Sequence, residues 1–298
     1  MGKHAYLILC HDQWELLQIL LRLLDDKRND IYIHVDKKSK FDPKTVDVCE
    51  KSKVFLTERV RVQWGGYSVV KATMVLLKAA TENGHYDYYH LLSGHDLPLK
   101  SQDEIHAFFD EHQGKEFISL KPCNHMERVK YYYPTQYVFS KNNIIGRVIR
   151  KFLLIIQKRI GVDRTKKSIF REWGIGSQFF DITDSFARYL CGNDRLISKA
   201  FHSGFIVDGM FVQTIFINSP FNEKGIRFVH PKRDDNKYIY DIYMDINRAI
   251  DWKCGSPYVY DTTDLEMLIE SDCLFARKFS LFKDEHIIEL IIEKIDRS

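Results

Sequence analysis

A net charge of +3 over 298 residues is too mild for a nucleic-acid binder, which concentrates basic side chains on one face. Hydrophobic residues make up 45% of the chain, enough for a sizeable core, yet no apolar run reaches the roughly 20 residues that a transmembrane helix needs. The six cysteines are scattered, without a Cys-x-x-Cys pair or a zinc spacing, and with no leader-like segment they fit a reducing, cytoplasmic setting.

The first third alternates strands and helices. Ala5–Cys10 reads as a buried strand, and Asp12 is placed to cap a helix from about Gln13 to Leu24. Ile31–Val35 and Lys53–Thr57 are the next strands, and Ser68 starts a helix to about Ala80. Tyr88–Ser93 is a fourth strand. Ser101 with Glu104 forms a capping box for a helix to about Glu111, and Phe117–Leu120 is a fifth strand. Strands separated by helices imply a mainly parallel sheet, so the fold class is α/β with a central mixed sheet. Ligands of such sheets bind beyond the carboxyl ends of the strands, where Asp36 and the turn Gly94-His95-Asp96 fall.

Asn142–Ile160 reads as a basic amphipathic helix. Ile145, Val148, Ile149, Phe152, Ile155 and Ile156 have helical spacing, with Arg147, Arg150, Lys151, Lys158 and Arg159 on much of the remaining surface. Such a helix lies on an anionic membrane surface, or it packs its apolar side on the domain and leaves a basic face in water. The second is the ordinary arrangement. The last third adds strand-like segments at Gly176–Ile182 and Phe228–His230, a helix near Met210–Asn218 and a C-terminal amphipathic helix, roughly Glu285–Ile295. No linker or repeat divides the chain, which reads as one domain over residues 1–298.

Three segments suggest chemistry. In HVDKKS, Asp36 directly follows a buried strand, where a carboxylate can accept hydrogen bonds from a base or ribose, although ordinary turns use the same pattern. In VQWGGYS, Gly65 and its neighbour let backbone approach backbone or ligand closely; a tight turn explains the glycines, but Trp64 less well. SGHDLPLKS holds one acid, Asp96, in a small turn at a strand end. One acid is a poor Mg²⁺ or Mn²⁺ site, so no metal is expected, and charge developing on a departing diphosphate then calls for cationic side chains. Arg248 in NRAIDW, and Arg277 and Lys278 in LFARKFS, can supply them.

In this order HVDKKS, VQWGGYS, YDYYHLLSGHDLPLKS, WGIGSQFF, IVDGMFVQTIFINSPF, NRAIDW and LFARKF resemble the core-2/I-branching β-1,6-N-acetylglucosaminyltransferase family, glycosyltransferase family 14, which includes peptide xylosyltransferases. The resemblance runs from about residue 4 to residue 295, and the length is that of compact bacterial-type members. It implies a GT-A-like fold with a Rossmann-like nucleotide-binding half. It also implies inverting, metal-independent transfer from a UDP-sugar, with GlcNAc the family's common donor, and no cofactor. The expected partner is a glycan or lipid-linked glycan acceptor in surface polysaccharide synthesis, reached from the cytoplasm or the inner face of the membrane. Carried over by position, Asp36 contacts uridine, with Trp64 and Gly65 also on the donor side. Arg248 and Lys278, with Arg277, grip the diphosphate. Arg128 and Tyr131 contact the acceptor, and Trp173 and Gln178 border the cleft, unless WGIGSQFF is simply a core strand. His95 bonds a sugar hydroxyl or is a satisfied turn histidine.

One position departs from the pattern. The family places a catalytic Glu after an Asp ahead of its Phe-x-Gln-Thr stretch, whereas this chain reads Val207-Asp208-Gly209-Met210. Three readings follow: Asp208 acts as base, Asp96 is recruited instead, or the protein is an impaired, sugar-binding homologue. Asp208 is also placed to cap the helix near Met210.

Overall fold

Four strands carry the first third of the chain: β1 (His4–Cys10), β2 (Asn29–Val35), β3 (Lys53–Leu56) and β4 (Tyr88–Ser93), with α1 (Trp14–Leu23) after β1 and α2 (Ser68–Asn83) after β3. The structure, a computed structural model, describes residues 2–139, 142–224, 247–252 and 257–297; the strand expected at Phe228–His230 and Cys254 lie outside these. The chain continues through β5 (Leu97–Pro98), α3 (Gln102–Glu111), β6 (Phe117–Ile118), β7 (Lys121–Pro122), α4 (Glu127–Lys130) and α5 (Ile144–Arg159). Then follow β8 (Gly174–Ile175), β9 (Phe180–Thr183), α6 (Asp184–Gly192), α7 (Asp194–Phe201) and α8 (Phe211–Ile217). Last come β10 (Arg248–Ile250), α9 (Leu265–Glu270), β11 (Phe275–Arg277) and α10 (His286–Asp296).

The central sheet runs β3-β2-β1-β4-β9-β6. Its first four strands are parallel, a Rossmann-like half; β9 runs against both β4 and β6, so the sheet is mixed, as expected. β1, β2 and β4 are buried almost throughout because both sheet faces are covered. Ala5, Leu7 and Leu91 pack with Val70, Leu77, Phe186 and Phe211 on one face; Tyr6, Ile8 and Leu92 pack with Leu17, Phe275 and Ile288 on the other. A second sheet, β10-β11-β5, adjoins the second face.

Local expectations fared unevenly. The Ser101–Glu104 capping box is present. Asp12 does not cap α1: Gln13 holds the cap position, and the Asp12 carboxylate turns to His95. Ser68 Oγ accepts from Gln63 N–H at 2.8 Å, so it closes the turn before α2 instead of capping that helix. Of the expected strand Gly176–Ile182 only the part from Phe180 is extended, in β9, with β8 ending just ahead of Gly176, and the strand expected at Phe117–Leu120 shortens to β6. α5 defies the ordinary arrangement: Gly146 and Arg150 are buried, while Ile144, Val148 and Phe152 stand in solvent at 69%, 65% and 63% exposure. Among the described residues no helix is long and apolar enough to cross a membrane.

Candidate functional site

The carboxyl ends of β1, β2, β4 and β6 share one edge of the central sheet, because these strands are parallel or twice reversed. The sheet order changes direction at β1, since the chain goes first to β2 and later to β4 on its other side. α/β sheets bind ligands at such a switch point. His11 and Asp12 follow β1, Asp36 follows β2, Gly94–Asp96 follow β4, and Ser119 follows β6. The residues entering antiparallel β9, Ser177–Phe179, arrive at the same edge.

Asp36 is nearly buried. Its Oδ1 accepts from the Lys38 and Val62 N–H groups at 2.9 and 3.2 Å, and Oδ2 lies 3.5 Å from the Lys38 ammonium. Arg59 donates to the Asp36 carbonyl at 2.8 Å, tying the turn to the segment after β3. Lys278 directly follows β11 and is half-buried. Burial, then the Arg277 charge, lowers its pKa, against the attraction of Asp12 and Asp96. Its charge is thus poorly solvated, and an anion would find it receptive.

His95 is the satisfied turn histidine. The Gln13 amide oxygen accepts from Ser280 Oγ and Leu281 N–H, at 3.1 and 3.0 Å, so the Gln13 NH₂ group donates to His95 Nδ1 at 3.0 Å. Nδ1 also lies 3.2 Å from the Phe279 carbonyl, and Nε2 lies 2.7 Å from Asp12 Oδ1. This bond leads the causes that lower the Asp12 pKa. His11, Asp12 and His95 bring three ligand-type atoms within 4.8 Å of one another, a grouping that can hold a metal ion. Both ring nitrogens of His95 are thus engaged within the protein.

Asp96 is not placed as a base. It is buried, accepts from Ser93 Oγ at 2.6 Å and Ser93 N–H at 3.1 Å, and lies 3.6 Å from the Arg277 guanidinium. Arg277 is held against Asp96 and over the Phe179 ring at 4.4 Å. Arg248 departs furthest from expectation. Its side chain is 1% exposed and makes a two-pronged pair with Asp181, both bonds 2.8 Å, besides donating to the Leu91 carbonyl at 3.1 Å. Burial opposes the Asp181 charge, yet Arg248 and His90 hold its pKa below the usual carboxylate range. A guanidinium committed to a buried carboxylate and a strand carbonyl does not reach the sheet edge, so Arg248 braces the interior instead of gripping a diphosphate.

On the acceptor side, Gly65 takes a positive φ of 81° and its carbonyl accepts from Ile206 N–H at 2.7 Å. Ile206, a β-branched residue, itself sits at φ 53°, a strained conformation that surrounding contacts must hold. Arg128 supplies those contacts: its guanidinium donates to the Ile206 carbonyl at 3.2 Å and its carbonyl accepts from Phe205 N–H at 2.9 Å. Arg128 therefore props up the segment leading to Asp208. Tyr131 is buried, and Trp173 packs edge-on against Phe170 and Phe201. Gln178 is half-buried and Trp64 is exposed beside the Gly65 turn.

Asp208 is half-buried just ahead of α8, whose cap position is Met210, so it is not the cap. Gly209 is explained by packing. A Cβ built there would lie 2.4 Å from the Gly176 carbonyl oxygen, and Gly176 N–H donates to the Gly209 carbonyl at 2.8 Å. A Cβ on Gly176 would in turn meet the Ser119 carbonyl oxygen. Three backbones stack without room for side chains, which brings Asp208 to the same sheet edge as Ser119 and Ser177. The Asp181–His90–Arg248 cluster was missed from sequence because its members lie far apart in the chain and no motif joins them.

The family model described as Core-2/I-Branching enzyme matches residues 4–257. Xylosyltransferase 2 of Mus musculus is 24% identical over 308 residues, covering 96% of this chain and 33% of the relative; that of Homo sapiens is 23% identical over 308 residues with the same coverage. The chain thus spans about a third of the length of these relatives. Among solved structures, mouse xyloside xylosyltransferase 1 in its apo form aligns at TM-score 0.35 and 11% identity, over 76% of this chain and 85% of that one. S. aureus TarS aligns at TM-score 0.33 and 15% identity, over 67% of this chain and 33% of that one. With the family model matched over most of its length, the chain belongs to the Core-2/I-branching enzyme family.

Proposed function

We propose that this protein is a GT-A-like, inverting glycosyltransferase that moves a sugar, GlcNAc favoured by family, from a UDP-sugar to a hydroxyl of a glycan or lipid-linked glycan, without a metal ion. The observation that supports this is that a member of this family has Asp36 and Asp208 at one edge of the central sheet, with Lys278 near Asp12 and Asp96 of that edge. Asp36, fixed through Oδ1, offers Oδ2 to the uridine. Asp208 takes the proton of the acceptor hydroxyl, which attacks the anomeric carbon opposite the nucleotide. The bond to the β-phosphate oxygen breaks, its electron pair leaves with UDP, and Lys278 stabilises the charge. The setting is surface polysaccharide synthesis, at the inner face of a cell membrane.

A screen of UDP-sugars for hydrolysis and transfer, in EDTA and with Mn²⁺, tests the reading. Consumption of one donor in EDTA supports it; activity lost in EDTA and restored by Mn²⁺ overturns the metal-free mechanism. The second reading is an impaired UDP-sugar-binding homologue, favoured by the packing at Gly209, which admits no carboxylate side chain. UDP binding without turnover on any acceptor would establish it.

A further inference from the structure

α5 wears its apolar face outward. At 100° per residue, Ile144, Ile145, Val148, Ile149, Phe152, Ile155 and Ile156 share an arc of about 140°. All of them are exposed. The opposite side meets the protein through Gly146 and Arg150, whose guanidinium lies over the Phe205 ring at 4.3 Å. Exposed Arg147, Lys151 and Lys158 line one border of the arc, and Arg159 stands within it. No Asp or Glu occurs from Asn142 to Ile160. On the opposite side the Gln157 side chain makes two bonds to the Tyr132 backbone, at 2.8 and 3.0 Å, which tie the helix to the domain. Lys166, Lys167 and Ile169, in the segment after the helix, are exposed as well.

We propose that this face docks, parallel to the surface, on an anionic lipid bilayer. The apolar side chains enter the boundary between headgroups and acyl chains, and the cations meet lipid phosphates. Charge complementarity selects the partner. A second copy pressed face to face would oppose cation to cation with no acid on either helix, whereas an anionic bilayer offers apolar depth and negative charge together. The inference goes beyond the transfer reaction and does not depend on it.

Co-sedimentation of the full chain with phosphatidylcholine vesicles, with and without phosphatidylglycerol, tests it. The protein should pellet with the anionic vesicles and remain in solution with the zwitterionic ones. Val148→Ser with Phe152→Ser should reduce partitioning about tenfold or more, and Arg147→Gln with Lys151→Gln about fivefold for each cation removed. These side chains are exposed, so circular-dichroism melting and UDP affinity in solution should not change; this separates failure here from failure of the donor reading. Absence of binding to either vesicle type, or equal binding to both, overturns the proposal. So does a concentration-dependent dimer that Val148→Ser with Phe152→Ser abolishes while vesicles capture nothing.

Discussion

Lys278 has lost part of its hydration to burial and sits beside a second cation, Arg277. A diphosphate would return the lost stabilisation. Lys278→Ala is therefore expected to weaken UDP binding about tenfold or more, measured by titration calorimetry, and unchanged affinity removes Lys278 from the site. The two acids that the sequence offered as bases part company in their surroundings. Asp208→Asn should lower turnover by about 10²–10⁴ with UDP affinity retained. Asp96→Asn should instead lower the melting temperature, because its carboxylate joins Ser93 to Arg277. Sequence reasoning singled out Asp36, Lys278 and Asp208 because each stands next to a recognisable strand or motif. It misassigned Arg248, since a run such as NRAIDW says nothing about which way a side chain turns.

Elements whose stability is local were the easiest to read. β1, β2 and β4 each centre on a short, mainly apolar run, and α3 announces its start with a capping box. α6 and α7 went unread although Thr183 caps α6 through Phe186 N–H; at 9 and 8 residues they are too short for a clear period. WGIGSQFF looked like one strand and is two, because Gly176 passes between Ser119 and Gly209 backbones that only the tertiary fold brings there. The same stack governs a substitution. Gly209→Glu, which by motif restores a missing acid, should destabilise the chain by about 1–3 kcal/mol in urea melts and fail to raise transfer. A gain in activity would show that the loop yields. For α5 the sequence specifies an apolar arc but not its direction, and direction decides between a core helix and a docking face.

Across the whole molecule, a buried histidine row supports the central sheet. His90 bridges Asp181 at 2.8 Å and His4 at 3.0 Å, and His4 stacks on His106 with ring centroids 3.9 Å apart. Burial lowers the pKa of all three, that of His106 to about 4 from 6.5. The unfolded chain thus binds protons on these rings that the folded chain refuses, so stability is complete above the unfolded value of 6.5 and falls as pH drops toward 4. The depressed Asp181 carboxyl adds a further loss below 3.8. Melting temperatures from pH 7 to 4 should decline through this window; a flat profile would refute the buried neutral row.

Arg248 belongs to this scale as well. It fastens β10, and through β10 its neighbour β11, to Asp181 on the central sheet, and the residue after β11 is Lys278. Arg248→Met should cost about 3–5 kcal/mol in chemical denaturation by stranding a buried carboxylate. It should also depress nucleotide capture, because the strand that presents Lys278 loses its anchor. A mutational scan scored on UDP retention alone would then record Arg248 as a ligand contact, a false positive that only a parallel stability measurement unmasks.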